Sequence, residues 1–211
     1  MDDEPLTPVA AALRDAVVIA VLRAPSADSA VRAVDAAVLG GVRAVEVTYS
    51  TPGVPAVLAA VRERHPDLLV GVGTVTEAAQ VRESVAAGAR FVVSPGYDED
   101  VAAAMRAART TAIIGALTPT EVLTARRAGA NLVKLFPGSH GGPGFLRALR
   151  EPFPWLRAIP TGGVTAGNLR EWLDAGAFAV GASGPYPRAM LAAGDYDGVR
   201  RAAAEFMAAA S

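Results

Sequence analysis

The sequence predicts a closed (β/α)8 barrel of the TIM-barrel class, with one extra helix ahead of the first strand. Eight short runs rich in β-branched residues alternate strictly with alanine-rich stretches that carry apolar residues at helical spacing, all within 211 residues. Strict alternation implies parallel strands, because each crossover helix returns the chain to the same edge of the sheet. Since no linker or low-complexity tract interrupts the pattern, we interpret residues 1–211 as a single barrel domain.

The strand candidates are recognised by their β-branched and aliphatic residues and by the turn residues that bound them. In chain order they are 17–23, 44–50, 68–75, 91–95, 112–117, 132–137, 156–161 and 178–183. Helices are expected to begin near Ser29, Val54, Thr76, Asp98, Pro119, Gly144, Thr165 and Asp195, and residues 6–15 read as the extra helix. Three helices end in an Ala-Gly pair, whose glycine suits the left-handed backbone that follows a helix: Ala87-Gly88, Ala128-Gly129 and Ala175-Gly176.

The composition argues against several classes of partner. The formal net charge is -1, so no basic surface is expected to attract nucleic acid or acidic lipid. Zero cysteines exclude disulfides, thiol catalysis and thiolate metal sites, and they fit a reducing compartment. The start, Met1-Asp2-Asp3-Glu4, is acidic and lacks a secretory signal, and no apolar stretch is long enough to span a bilayer. A cytoplasmic location is therefore expected.

One lysine, Lys134, occurs in a chain that has 20 lysine and arginine residues together. It lies within the apolar run 131–137, where burial favours the neutral amine over the charged ammonium. Arginine cannot give up its proton in a protein, so it cannot replace lysine as an amine nucleophile. A general replacement of lysine by arginine during evolution would explain the composition. The one lysine that was kept then indicates a position where arginine could not serve. Lys134 is therefore the candidate Schiff-base nucleophile.

Alternation along the second strand sorts its side chains into two faces. Glu46 shares the face of Ser50, expected inside the barrel, whereas Val45 and Val47 are expected to pack on helices. A carboxylate and the amine of Lys134 inside one barrel can be interpreted in two ways. The pair is a structural ion pair, or it is catalytic, and the carboxylate then transfers protons while the amine forms the carbinolamine, imine and enamine.

Glycine-containing turns end several strands, where such barrels place their ligand sites. The segment 71–74 offers the hydroxyl of Thr74, and its glycines would let a ligand approach the backbone. Gly162 and Gly163 lead into a helix at the usual phosphate position of these barrels, with Ser183 and Gly184 expected beside them. The alternative is that these segments are only tight βα turns.

No metal or cofactor is expected. The two histidines, His65 and His140, are too few and too far apart in the chain to indicate a metal site or a Ser-His-Asp arrangement. The two glycines at positions 71 and 73 lack the rest of a dinucleotide-binding fingerprint.

Six motifs distributed over the chain carry a family resemblance. They are GGVRAVEVT at 40–48, GVGTV at 71–75, SPG at 94–96, TPTE at 118–121, VKLFP at 133–137 and PTGGV at 160–164. Together they resemble the pyruvate-dependent class I aldolases that cleave 2-keto-3-deoxy-6-phosphogluconate (KDPG) and 4-hydroxy-2-oxoglutarate (KHG). The resemblance extends from residue 18 to about residue 209.

The resemblance implies roles for individual residues. Lys134 would form the pyruvyl imine and Glu46 would transfer protons. The pyruvate pocket would be lined by Thr74, Pro95 and Phe136, and the substrate phosphate would be held by Gly162 and Gly163. The resemblance also implies a homotrimer that needs no metal.

Three features depart from the family pattern, and one of them is Ile114, which replaces a proline common before Gly115. Many relatives have an arginine where this chain has Ser50, and that arginine is expected to hold the substrate carboxylate. We expect Arg23, which ends the first strand, to supply the cation from a neighbouring strand, with Ser50 still in the pocket. The Gly-Ser pair of the eighth strand end is here Ser183-Gly184, and a shift of one residue turns the hydroxyl to the other side of a strand.

The expected activity is reversible cleavage of KDPG, KHG or both to pyruvate plus glyceraldehyde 3-phosphate or glyoxylate. A related alternative is 2-dehydro-3-deoxy-6-phosphogalactonate or another substrate of a pyruvate aldolase. Two alternatives belong to other classes. A phosphate-binding barrel isomerase or epimerase would use Glu46 as a base without an imine, and a non-catalytic barrel would explain the departures without explaining Lys134.

Overall fold

The computed structural model describes residues 5–210, so the acidic start Met1-Asp2-Asp3-Glu4 lies outside the described residues. Eight parallel strands form the barrel wall: β1 (Val18–Leu22), β2 (Ala44–Thr48), β3 (Leu69–Gly73), β4 (Phe91–Val93), β5 (Thr111–Ala116), β6 (Leu132–Leu135), β7 (Ala158–Pro160) and β8 (Val180–Ala182). The strand order is β7-β6-β5-β4-β3-β2-β1-β8, and a bridge between Thr161 and Gly181 joins the two ends of the sheet. The eight predicted strands and the barrel are confirmed.

Ten helices lie among residues 5–210. They are α1 (Pro8–Ala16), α2 (Ala27–Leu39), α3 (Val54–Arg64), α4 (Ala78–Ala86), α5 (Glu99–Ala107), α6 (Pro119–Arg127), α7 (Gly142–Arg150), α8 (Leu169–Asp174), α9 (Arg188–Ala193) and α10 (Tyr196–Ala210). Within residues 5–210, none is long and apolar enough to cross a membrane. Most predicted starts lie within two residues of the observed ones, but the short helix α9 was not predicted.

The extra helix α1 closes the bottom of the barrel. The hydroxyl of Thr7 accepts a hydrogen bond from the Ala10 N–H at 3.1 Å and so caps the helix start, where Pro8 fits without losing a bond. Leu13 is fully buried and packs with Ile19 and Phe91 in an apolar cluster inside the strands. The lower interior is therefore a packed and mainly apolar core, in which the hydroxyls of Thr7 and Thr111 lie 3.1 Å apart.

A second apolar layer lies between the strands and the helices. Val45 and Val47 belong to it and are fully buried, which confirms the face assigned to them from alternation. Trp172 on α8 is 1% exposed in the same layer. Full burial of each such side chain stabilises the fold by about 1.5–3 kcal/mol. This layer holds the strands in place, so the side chains on their other face point into the barrel.

The Ala-Gly pairs end their helices as expected. Gly88, Gly129 and Gly176 follow α4, α6 and α8 with φ of 93°, 87° and 88°. This left-handed backbone costs a glycine little, because it has no Cβ. Each turn therefore directs the chain promptly from a helix into the next strand.

Candidate active site

Lys134 and Glu46 meet inside the barrel. They lie on β6 and β2, which are four strands apart in an eight-stranded ring and so face each other across the interior. The Lys134 Nζ lies 3.5 Å from Oε1 of Glu46, and each residue is 3% exposed. The structure thus brings together two residues that are 88 positions apart, as alternation along the two strands indicated.

Glycines on the neighbouring strand create the space for the carboxylate. Gly71 is the register partner of Glu46, and Gly73 follows on the same face. A Cβ at Gly73 would overlap the Glu46 carboxyl group, and a Cβ at Gly71 would overlap the ring of Phe91. These glycines therefore make room for the side chains of Glu46 and Phe91, and the approach of a ligand to their backbone stays a prediction.

An amine and a carboxylate at this separation can exchange a proton with little movement of either side chain. A charged pair and a neutral pair differ only in which atom holds the proton, and burial penalises the separated charges. A buried ion pair alone is weak evidence of a structural role. What distinguishes this pair is that the lysine also lines an open cleft.

The cleft above Lys134 has a volume of about 690 Å³. Five further residues that the sequence singled out line it, and each lies at or just beyond the C-terminal end of a different strand: Arg23, Ser50, Thr74, Pro95 and Phe136. The carboxyl ends of barrel strands are where catalytic residues of this fold gather. The structure therefore assembles the predicted pocket around the predicted nucleophile.

Two of these residues have constrained positions. Thr74 follows β3 and has φ of 57°, an uncommon left-handed conformation for a β-branched residue. The ring of Phe136 lies 5.3 Å from the Lys134 Nζ, close enough for an attraction between a cation and the aromatic face. Both residues place their side chains at the mouth of the lysine site.

The Ser50 hydroxyl is committed to a hydrogen bond below it. Thr48 Oγ1 donates to the Leu22 carbonyl at 3.0 Å, and Ser50 Oγ lies 2.7 Å from the same Thr48 oxygen. A hydroxyl has one hydrogen to donate, so Ser50 must be the donor to Thr48. Ser50 consequently offers lone pairs to the cleft, whereas a substrate carboxylate requires donors.

Arg23 supplies an uncommitted donor in the same cleft. It follows β1 directly, and within residues 5–210 its guanidinium forms no ion pair or side-chain hydrogen bond. An arginine presents a rigid fork of donors that matches a carboxylate. Arg23 is thus one of the cations that line the cleft, and its guanidinium is not engaged by another described side chain.

A second groove adjoins the lysine cleft and shares Arg23 and Arg188 with it. Ser183 and Gly184 line this groove, together with Thr165 and the buried Tyr186. The Tyr186 hydroxyl has no hydrogen-bond partner among the described residues, and burial raises its pKa well above the ordinary value, so it stays protonated. The predicted end of the eighth strand therefore lies in the groove beside the two arginines.

The Gly162-Gly163 turn lies next to the loop that follows Lys134. Both glycines have left-handed backbones, and the Gly138 N–H donates to the Thr161 carbonyl at 2.7 Å.

The expected helix start near Thr165 was wrong, because α8 begins at Leu169. The Asn168 side chain holds the intervening turn instead, accepting from Thr165 N–H at 2.8 Å and donating to the Gly163 carbonyl at 2.9 Å.

The sequence reasoning missed the contribution of α9. Arg188, Leu191 and Ala192 from this helix line the lysine cleft. The helix has six residues and follows Pro187, so its apolar pattern is too short to be distinguished from a loop. Two arginines at the cleft, rather than the one that was predicted, are the result.

Neither histidine lies in the cleft. His65 Nε2 is 2.7 Å from Asp35 Oδ1, and the ring of His140 lies edge-on to Phe145. Across residues 5–210, no group of three or more His, Asp or Glu side chains is placed to hold a metal ion.

Comparison with known proteins gives a consistent result. Residues 9–202 match the sequence model of the family described as KDPG and KHG aldolase. The 2-dehydro-3-deoxy-phosphogluconate aldolase of Treponema pallidum is 36% identical over 184 residues, 86% of this chain and 88% of that protein. The KHG/KDPG aldolase of Escherichia coli K12 is 34% identical over 190 residues, 89% of each chain.

A solved structure extends the similarity to the fold. The KDPG aldolase from Legionella pneumophila, with pyruvate captured at low pH as a covalent carbinolamine, has a TM-score of 0.87 at 30% identity. The match covers 94% of this chain and 97% of that one. The barrel and these relatives define an aldolase, that is, a carbon–carbon lyase. The chain belongs to the KDPG and KHG aldolase family.

Proposed function

We propose that this enzyme is a class I aldolase in which Lys134 forms an imine with the C2 carbonyl of a 2-keto acid. The observation that carries the proposal is the placement of the chain's one lysine, which is buried, lines the cleft and lies 3.5 Å from the Glu46 carboxylate. The Legionella relative, captured with pyruvate as a covalent carbinolamine, supports this chemistry. The products are pyruvate and an aldehyde.

In the first stage the neutral Lys134 amine attacks C2 of the keto acid. The addition gives a carbinolamine, as the Glu46 carboxylate takes one proton from the attacking nitrogen and passes it to the C2 oxygen. Glu46 then takes up a second proton from solvent and gives it to the C2 hydroxyl, which leaves as water while the C2–N double bond forms and the nitrogen keeps its remaining hydrogen. The 3.5 Å between Nζ and Oε1 allows Glu46 to reach both the nitrogen and the atoms bonded to C2.

In the second stage the protonated imine accepts electrons. A base removes the proton of the C4 hydroxyl, and the bond between C3 and C4 breaks. Its electron pair forms the C2–C3 double bond while the π pair of the imine moves to nitrogen, which gives an enamine. The aldehyde leaves with C4 as its carbonyl carbon. Protonation of the enamine at C3 and hydrolysis of the imine by one water then release pyruvate and restore Lys134.

The substrate carboxylate is assigned to Arg23. The Ser50 hydroxyl is already donated to Thr48, whereas the Arg23 guanidinium is uncommitted within residues 5–210. The pyruvate half packs against Thr74, Pro95 and Phe136. If Arg23→Ala leaves both the KM for pyruvate and the yield of trapped imine unchanged, this assignment fails.

The proposed substrates are KDPG, KHG or both, and the phosphate of KDPG would be held by the backbone of Gly162 and Gly163 with Ser183 and Gly184. Relatives named for the gluconate and KHG substrates support this choice. The galactonate analogue, which differs in configuration at C4, is the alternative substrate, and a relative named for it is 34% identical over 168 residues. An isomerase or a non-catalytic barrel would leave the buried lysine unexplained.

Turnover tests the proposal. The wild-type enzyme is incubated with KDPG, its galactonate analogue or KHG, and released pyruvate is measured by coupling to lactate dehydrogenase. We expect pyruvate from KDPG, KHG or both, and none from the Lys134→Arg variant, which keeps the positive charge but cannot form an imine. No pyruvate from any of the three with folded wild-type protein would contradict the proposal.

We also propose a homotrimer in the cytoplasm, as the family resemblance implies, with a role in the Entner–Doudoroff route of sugar-acid breakdown. Light scattering after size exclusion would give about 65 kDa for a trimer, three times the 21.5 kDa of the chain. A mass near that of one chain would contradict the assembly.

A further inference from the structure

Arg188 belongs to the lining that the two cavities share. It is the first residue of α9 and, like Arg23, it lines both the lysine cleft and the adjoining groove. Ser183 and Thr165 add hydroxyls to the lining of the groove, and they follow the eighth and seventh strand segments. A substrate that extends from Lys134 into the groove would therefore lie against the shared arginine side of both cavities.

The charge of Arg188 is not neutralised by the protein. Within the described range 5–210 it forms no ion pair or side-chain hydrogen bond, and its side chain is exposed. The carboxylate of Glu205 also lines the groove, but no nitrogen of either arginine lies within 4.0 Å of it. An unpaired guanidinium in a cleft is suited to hold an anionic group through a bidentate, charge-assisted contact.

The two arginines approach the substrate from different directions. Arg23 follows β1, where Val21 is the register partner of Glu46, so it lies near the imine end of the substrate. Arg188 lies after the turn that Tyr186 N–H closes on the Ser183 carbonyl at 2.9 Å, so it lies on the groove side. The substrate carboxylate is assigned to Arg23 beside the Glu46 strand, which leaves Arg188 available for groups beyond C4.

We propose that Arg188 is a specificity-determining residue that binds the terminal anionic group of the aldehyde half of the substrate. This inference rests on the proposed aldolase activity and deepens it. It makes α9 a selector for aldehydes that end in phosphate, and it gives the phosphate a side-chain cation in addition to the backbone donors of the glycine turns.

The test compares two aldehydes that differ only in the phosphate. Condensation of pyruvate with glyceraldehyde 3-phosphate and with glyceraldehyde is measured for the wild type and for Arg188→Gln, which removes the charge but keeps a polar chain. We expect kcat/KM for the phosphorylated aldehyde to fall about 10- to 100-fold, as removal of a charged hydrogen bond implies. The value for glyceraldehyde and the KM for pyruvate are expected to stay near those of the wild type.

Two further variants make the comparison specific. Arg188→Lys keeps the charge without the fork and is expected to recover part of the preference for the phosphorylated aldehyde. Arg82→Gln removes an exposed arginine of α4 that lines neither cavity, and it is expected to behave as the wild type.

Four outcomes would overturn the assignment. Three concern the variant: an equal loss on both aldehydes, no loss on either, and a rise confined to the KM for pyruvate, which would mean that Arg188 holds the carboxylate instead. The fourth is a wild type that uses both aldehydes equally. Failure of the aldolase proposal itself is distinguishable, because the wild type would then condense pyruvate with neither aldehyde nor with glyoxylate.

Discussion

Replacement of Glu46 by glutamine separates the chemistry of the site from its packing. Glutamine has nearly the same shape as glutamate, and its side-chain oxygen can still accept a hydrogen bond from the Lys134 Nζ. Glu46 is 3% exposed and is enclosed by Gly71 and Gly73, so an isosteric change leaves no cavity. The variant should therefore fold, while it can no longer take up and return a proton.

The expected loss follows from the number of proton transfers that the carboxylate serves. Glu46 is the one carboxylate within 4.0 Å of the Lys134 Nζ among residues 5–210, so no second acidic group can replace it at the nitrogen. General acid–base catalysis contributes typically about 10²- to 10⁴-fold to a rate. We expect kcat for pyruvate release to fall by about that factor in Glu46→Gln.

The assay is steady-state pyruvate release together with a urea unfolding curve. The account requires a lower kcat with an unfolding midpoint close to that of the wild type. A kcat equal to that of the wild type would show that Glu46 moves no proton, and the carboxylate would then be only the structural partner of the lysine.

Three further predictions concern other parts of the fold. Gly73→Ala should lower kcat without altering any reacting group, because the added Cβ would displace the Glu46 carboxyl. Gly96→Ala, whose Cβ meets nothing within 4 Å, is the matched control. Equal activity of the two variants would contradict the prediction. Tyr186→Phe should raise the free energy of unfolding by about 1–3 kcal/mol, because it removes a buried hydroxyl without a partner, and a lower value from urea titration would show that the hydroxyl is satisfied. Backbone N–H groups of Thr118 and Leu117 hold the pKa of the Glu121 carboxyl below its ordinary value of 4.5. The ionised carboxylate therefore stabilises the fold fully above pH 4.5, and this stabilisation is lost as the pH falls through the lowered pKa. Glu121→Gln should therefore flatten the acid side of the stability profile, and an unchanged slope would contradict this.

Much of the site could be predicted because it depends on periodicity. Side chains alternate between the two faces of a strand, and this alternation puts Glu46 and Lys134 on interior faces. A count of eight strands then puts β2 opposite β6. The ends of parallel strands meet at one rim, so Thr74 and Phe136 could be expected beside the lysine from their positions alone.

The remaining features depend on tertiary contacts that have no period. Thr165 has the character of a helix cap, but Asn168 bonds to it and to Gly163, which delays α8 until Leu169. Helix α9 is too short for a pattern, so Arg188 was not recognised as a cleft residue. Likewise, the reason for a glycine at position 73 becomes visible only when a side chain from the neighbouring strand occupies the space.

The central claim is that Lys134 becomes covalently attached to the substrate. Incubation with pyruvate and borohydride reduces an imine to a stable secondary amine, and intact-protein mass followed by peptide mapping locates it. The account predicts one pyruvyl adduct per chain, on the peptide that contains Lys134, and none in Lys134→Arg. Folded wild-type protein that acquires no adduct, or acquires it elsewhere, would contradict the account.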